Sequence, residues 1–221
     1  FPDTFVGENV SCTGNPVRGE IAALISPGER FAGRYGRLRL LVVGGSLGAL
    51  ALNETVPQAL AKIPGTIRPH VRHQSGRNHL KLTREAYHKA GVDAEVMPFI
   101  DNIASQYEWA DLVICRAGAL TVSELALAGV ASLLVPYPYA VDDHQSANGS
   151  YLVAEGAAQM VQQGELTVDA LTQILSGFCQ DEVEGREKLL AMAQHACRLA
   201  KPGATAEVAA ACLLSAGFNN E

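Results

Sequence analysis

From residue 38 onward, short β-branched apolar runs alternate with longer stretches of helical period, and this alternation restricts the chain to βα units stacked around a parallel sheet. The runs expected as strands are residues 38–43, 67–73, 94–99, 111–115, 131–136 and 157–161. The helical stretches between them are 49–63, 77–90, 103–109, 121–128, 143–155 and 167–178, followed by two more at 182–200 and 204–216. Six such units predict an α/β, Rossmann-like domain. Gly91 and Gly129 stand where helices must end, and Pro202-Gly203 separates the last two helices.

Composition narrows the function. A chain of 221 residues with 48% hydrophobic side chains can bury a substantial core. Its net charge of −6, without a block of like charges, argues against nucleic acid as a partner. Five cysteines, an odd number with no C-x-x-C spacing, predict neither a zinc site nor a disulfide framework, and a reducing cytoplasm is the simpler expectation. No apolar run approaches the roughly 18 residues of a membrane span, and no basic-then-apolar leader opens the sequence. Phe1 in place of methionine, followed by loop-like sequence to Arg18, leads to the expectation that an N-terminal portion precedes this chain.

In open parallel sheets ligands collect beyond the C-terminal strand ends, so the segments that follow the strands are where chemistry is expected. Gly44-Gly45-Ser46-Leu47-Gly48-Ala49 joins a strand directly to a helix. Its glycines allow close backbone approach, the helix start offers N–H groups to a phosphate, and Ser46 adds a hydroxyl; such turns also arise for packing alone. It is not a Walker loop, because no Gly-Lys-Ser/Thr follows. Arg116-Ala117-Gly118-Ala119-Leu120-Thr121-Val122-Ser123-Glu124 repeats the arrangement, with a carboxylate in the first turn. Thr121-x-x-Glu124 reads either as a capping box or as a carboxylate placed for a ribose diol. The segment 136–148 opens a helix with polar residues that suit sugar hydroxyls or, equally, N-capping by Asp142 or Asp143. Phe99-Ile100-Asp101 offers an apolar cover and a backbone edge for a flat base, although a hydrophobic staple is the commoner cause. His70, His73, His79 and His88 share no face, so they predict structural or surface roles and no metal site.

Taken in order, Asn15-Pro16-Val17-Arg18, the 44–49 turn, Phe99-Ile100-Asp101, the 116–124 segment and Asp143-His144-Gln145 resemble the C-terminal half of the MurG family. These are UDP-N-acetylglucosamine transferases acting on undecaprenyl-pyrophosphoryl-N-acetylmuramoyl-pentapeptide. The resemblance covers nearly the whole chain, and the 116–124 segment is its most specific part. It implies the C-terminal domain of a GT-B glycosyltransferase, with residues 37–201 binding the UDP-sugar. Residues 1–36 would be the end of an N-terminal domain and the interdomain link, and residues 202–221 a C-terminal helix and tail.

By the same resemblance Ile100 holds the uracil edge through its backbone and Glu124 takes the ribose hydroxyls. Ser46 and the helix start at Ala119, Leu120 and Thr121, with Val122 and Ser123 behind it, serve the diphosphate. Gln145, with His144 beside it, reads the sugar hydroxyls, and Arg18 lies near the nucleotide sugar. Leu47 departs from the glutamine often found in the glycine turn, and His144 from the glutamine sometimes found before Gln145.

The reaction implied is inverting transfer of N-acetylglucosamine to the 4-hydroxyl of the lipid-linked muramoyl sugar, without a cofactor or metal. The catalytic base and the acceptor site are expected on the preceding domain, so no catalytic residue is assigned here. The location implied is the cytoplasmic face of the bacterial inner membrane. Two rivals remain at this point: another GT-B UDP-sugar transferase, and a non-catalytic donor-binding subunit that docks onto a membrane-bound partner.

Overall fold

The computed structural model describes residues 10–216; the ends of the expected N-terminal loop (1–9) and C-terminal tail (217–221) lie outside the described residues. Two short helices, α1 (Gly19–Ala22) and α2 (Pro27–Phe31), precede β1 (Arg39–Val43) and α3 (Leu50–Ala61). Then come β2 (His70–Gln74), α4 (Leu80–Lys89), β3 (Glu95–Met97), α5 (Ile103–Trp109), β4 (Leu112–Cys115) and α6 (Ala119–Ala128). The chain continues through β5 (Ala131–Leu134), α7 (His144–Ala154), β6 (Ala158–Met160), α8 (Val168–Cys179), α9 (Glu182–Arg198) and α10 (Ala204–Ser215).

All six strands pair in parallel in the order β3-β2-β1-β4-β5-β6, so the winding reverses between β1 and β4. Each expected strand is present, with its ends shifted by at most three residues; β2 starts three residues later than expected and runs one residue further, to Gln74. Alternation along β1 explains why both faces are covered. Leu40 and Val42 pack with Leu52, Val56, Leu171, Leu175 and Leu189 from α3, α8 and α9. Leu41 packs on the other face with Tyr107, Val122, Leu125 and Leu152 from α5, α6 and α7. No helix among the described residues is long and apolar enough to cross a membrane.

The link before β1 contains more structure than its loop-like sequence predicts. Ser26 and Glu29 form a reciprocal capping box with Pro27 at the first helical position, which is why so short a helix as α2 forms. This helix carries Arg30, whose guanidinium donates to the carbonyls of Ala128 (2.5 Å) and Gly129 at the C-terminal end of α6. Burial lowers the Arg30 pKa to about 10, so it remains a cation where the helix dipole favours one. The link thereby fixes α6, and with it the direction in which the N-terminus of α6 points.

Candidate functional site

Val43 is in register with Cys115, so the 44–48 turn and the 116–118 turn leave neighbouring strands side by side, about 5 Å apart. They flank the point where the winding reverses, which is where open α/β sheets form a crevice. The first turn is built on backbone-to-backbone packing. Gly48 has φ of +81°, and a Cβ there would stand 2.3 Å from the Ser75 carbonyl oxygen; a Cβ on Gly76 would stand 2.4 Å from the Gly48 nitrogen. Glycine is required at both positions, and Ser46 is left exposed at the tip.

A buried chain of hydrogen bonds holds the wall behind this turn. His73 bridges the Tyr87 hydroxyl and the Asn53 side-chain oxygen, both at 2.9 Å, and Asn53 donates to the Ser75 carbonyl at 3.1 Å. Of the four histidines that suggested no common face, His73 is therefore structural. Burial pushes its pKa down to about 3. The unfolded chain, with a value near 6.5, then takes up the proton first, so stability is lost as pH falls from 6.5 toward 3. Between pH 7.5 and 5.5 the expected loss from this group is about 1.4 kcal/mol. Urea melts at the two pH values test this, and His73→Gln should flatten the difference; an equal loss in the variant would assign it to other groups.

The second turn corrects one reading of the sequence. Helix α6 starts at Ala119 with Gly118 as its N-cap and no side-chain cap, so Thr121 lies inside the helix and no capping box exists. The first N–H taken within the helix is that of Val122, bonded to the Gly118 carbonyl at 2.9 Å. Those of Ala119, Leu120 and Thr121 have no partner among the described residues, as expected of the first turn. The Val122 side chain is wholly buried and its N–H is in use, so it packs α6 onto the sheet behind those donors. Ser123 is also committed inward, donating to Ala119 O and accepting from Asn15 Nδ2, both at 3.0 Å.

Glu124 is thus free of any capping duty. Its carboxylate accepts from the Tyr107 hydroxyl (3.2 Å) and lies 3.6 Å from the Arg18 guanidinium, where α1, α5 and α6 meet. Burial raises its pKa, and the Arg18 cation and the Tyr107 hydroxyl oppose that rise. The result is an ionisable group with only 14% of its side chain exposed, held in place from behind by Tyr107. Tyr107 was legible only as a core residue of α5; its hydroxyl had no sequence signal.

Ile100 is buried rather than exposed, packed with Ile103, and the exposed apolar residue beside it is Phe99. Among the described residues neither the N–H nor the C=O of Ile100 has a partner, which leaves that backbone edge open.

On the other side of the crevice Gln145 accepts the Tyr137 N–H at 3.0 Å, and this fixes its amide nitrogen as a donor. Asp143 does precede α7 as its N-cap, but its side chain accepts from Ser146 Oγ (2.7 Å) and caps no backbone N–H. Asp142 and Asp143 both have left-handed backbones, at φ 51° and 50°. Consecutive residues of this kind are strained, and such strain collects at ligand-binding loops. Arg116, the first residue of the most specific motif, straps the crevice floor through Val135 O (3.0 Å), Pro136 O (3.1 Å) and Gln163 Oε1 (2.5 Å). Asn148 ties α7 to the same turn through Ala117 O at 3.1 Å.

The structure thus brings Ser46, the Ala119–Thr121 donors, Ile100, Glu124 with Arg18, and Gln145 to the C-terminal rim of the sheet. Residues 39–211 match the glycosyltransferase family 28 C-terminal domain. A UDP-N-acetylglucosamine--N-acetylmuramyl-(pentapeptide) pyrophosphoryl-undecaprenol N-acetylglucosamine transferase of Marinobacter nauticus is 52% identical, over 98% of this chain and 59% of its own length. The transferase of the same description from Nitrosospira multiformis is 54% identical, over 96% of this chain and 58% of its own. The crystal structure of Acinetobacter baumannii MurG superposes with a TM-score of 0.80 at 39% identity, covering 94% of this chain and 57% of that one. The chain therefore spans somewhat over half the length of these relatives, and its fold is that of the C-terminal domain of GT-B glycosyltransferases.

Proposed function

This chain belongs to glycosyltransferase family 28, and from that premise we propose that it binds UDP-N-acetylglucosamine for inverting transfer of the sugar to a lipid-linked N-acetylmuramoyl-pentapeptide. The observation that carries the reading is Glu124: a largely buried carboxylate with no capping role, beside an unpaired helix start, at the winding reversal of the sheet. A ribose diol donates two hydrogen bonds and suits such an acceptor. The description shared by the curated relatives supplies the donor and the acceptor.

In this reading the Ile100 backbone pairs with the uracil edge and Arg18 stays near the nucleotide sugar. Ser46 and the N–H groups of Ala119, Leu120 and Thr121 meet the diphosphate, and the Gln145 amide donates to a sugar hydroxyl. Attack by the acceptor 4-hydroxyl on the anomeric carbon breaks its bond to the diphosphate oxygen. The proton leaves to a base outside this chain, and UDP departs with the bonding pair. Donors already aimed at the diphosphate stabilise that departing charge without having to reorganise.

Residues 37–201 carry donor binding in this assignment, residues 1–36 link to the acceptor domain, and residues 202–221 form a C-terminal helix and tail. In helix α10 Ala204 is buried, Val208 and Ala210 are half-buried and the other residues are exposed. A lipid-linked acceptor requires work at a membrane surface, and we place the full enzyme peripherally on the cytoplasmic face of the inner membrane.

Calorimetric titration with UDP-N-acetylglucosamine, UDP-glucose and UDP tests the reading. Tighter binding of the N-acetyl sugar than of UDP-glucose is expected. Equal affinity for the two sugars would move the assignment to a UDP-sugar transferase of broader donor choice, and absence of UDP binding would overturn it.

A further inference from the structure

The 75–79 segment that backs the glycine turn carries a cation for which the site described so far has no use. Gly76 touches the turn directly, since a Cβ there would lie 2.4 Å from Gly48 N and 2.8 Å from the Leu47 carbonyl carbon. Beyond it the ring of His79 also lies against Gly48, where an added Cβ would stand 2.7 Å from Cδ2. Arg77 sits between these two contacts, its Cα about 3.8 Å from that of Gly76 by chain geometry. Its backbone is therefore pinned beside the turn, while its side chain is exposed.

A nucleoside diphosphate brings more negative charge than backbone N–H groups alone would balance, so the arginines around the crevice matter. Arg18 is engaged with Glu124. Arg116 spends its guanidinium on two carbonyls and on Gln163. Arg77 has neither ion pair nor hydrogen bond among the described residues. Its guanidinium rests 6.0 Å from the centroid of the Phe99 ring, at the outer limit of a cation–π contact. Turning away from Phe99 breaks no hydrogen bond, and a bidentate guanidinium matches phosphate oxygens.

We propose that Arg77 is a donor-binding residue that swings from Phe99 onto the diphosphate, adding the cation that the glycine turn and the α6 N-terminus lack. The proposal rests on the donor-binding reading above and gives it a specific electrostatic part. Phe99 serves as the resting place that keeps the guanidinium at the rim between turnovers.

Titration of the wild-type chain, Arg77→Ala and Arg77→Lys with UDP and with uridine tests this. Arg77→Ala should weaken UDP about tenfold and leave uridine unchanged, because only UDP carries the diphosphate. Arg77→Lys, which keeps the charge but loses the fork, should recover part of the loss. Added salt should weaken UDP binding more in the wild type than in Arg77→Ala. Equal losses for UDP and uridine would overturn the proposal in favour of contact with the base through Phe99. Unchanged UDP affinity in Arg77→Ala would overturn it outright while leaving the donor site intact. A wild-type chain that binds uridine and UDP equally would overturn it as well, and one that binds neither would remove the donor-binding reading itself.

Discussion

Replacing Asp111 by alanine is expected to destabilise the chain by about 3–5 kcal/mol, the cost of leaving buried cations without their carboxylate. Asp111 immediately precedes β4 with its side chain wholly buried. One oxygen accepts from Arg34 Nη1 at 2.5 Å; the other accepts the Arg39 backbone N–H at 2.9 Å and lies 3.8 Å from Arg186 Nη2. Arg34 belongs to the link before β1 and Arg186 to α9, so a single carboxylate fastens three distant parts of the chain under the sheet. Arg34 continues to the carbonyls of Ala110 (3.0 Å) and Glu108, and Arg186 to that of Gly36 (2.9 Å), which leaves neither guanidinium free to move into solvent. Urea denaturation should show a lower midpoint with an unchanged slope. Asp111→Asn should lose less, because its amide oxygen can still accept one of these bonds. A loss below about 1 kcal/mol in Asp111→Ala would mean that water reaches the cluster and that the carboxylate is not its keystone.

That cluster also marks the limit of what the sequence discloses. The six strands and the eight longer helices follow from periodicity, because a strand buried on both faces and a helix with one apolar stripe leave different patterns in a linear string. The glycine turn and the 116–124 segment were legible for a related reason: a small-residue loop between a buried strand and a helix has few purposes. Asp111 carried no such mark, since a carboxylate at the start of a strand looks the same whether it faces water or three arginine-bearing segments. Helices α1 and α2 went unseen because four and five residues are too few to show a period, although Ser26-Pro27-Gly28-Glu29 held a capping signature that a local search would have found. Thr121-x-x-Glu124 failed in the opposite direction. The motif is present, but Gly118 starts the helix earlier, which releases the carboxylate from capping. Side-chain partners contributed across the fold, such as Tyr107 behind Glu124 and Gln163 on Arg116, depend on contacts between segments that no single stretch of sequence encodes.

Glu124→Ala is expected to weaken UDP binding by about 1.5–3 kcal/mol, the range for hydrogen bonds to a charged group, while the chain stays folded. Little stability should be lost, because the carboxylate caps no helix and burial already disfavours its charged form. The same burial sets a pH signature. The folded pKa is raised, so the unfolded carboxyl releases its proton first, and the stability this group contributes is lost as pH rises from the unfolded value through the folded one. Binding follows the reverse trend: the ionised carboxylate is the form that accepts two ribose hydroxyls, and affinity for UDP should fall as pH drops through that raised value. Tyr107→Phe removes the 3.2 Å hydrogen bond that opposes the rise, so in this variant the loss of affinity should begin at a higher pH. Calorimetry across pH with UDP and with its 2′,3′-dideoxy analogue separates the possibilities. If Glu124 holds the ribose, the analogue binds wild type and Glu124→Ala alike. If instead Glu124→Ala costs the analogue as much as it costs UDP, the carboxylate acts by anchoring Arg18, and the ribose is held elsewhere on the rim.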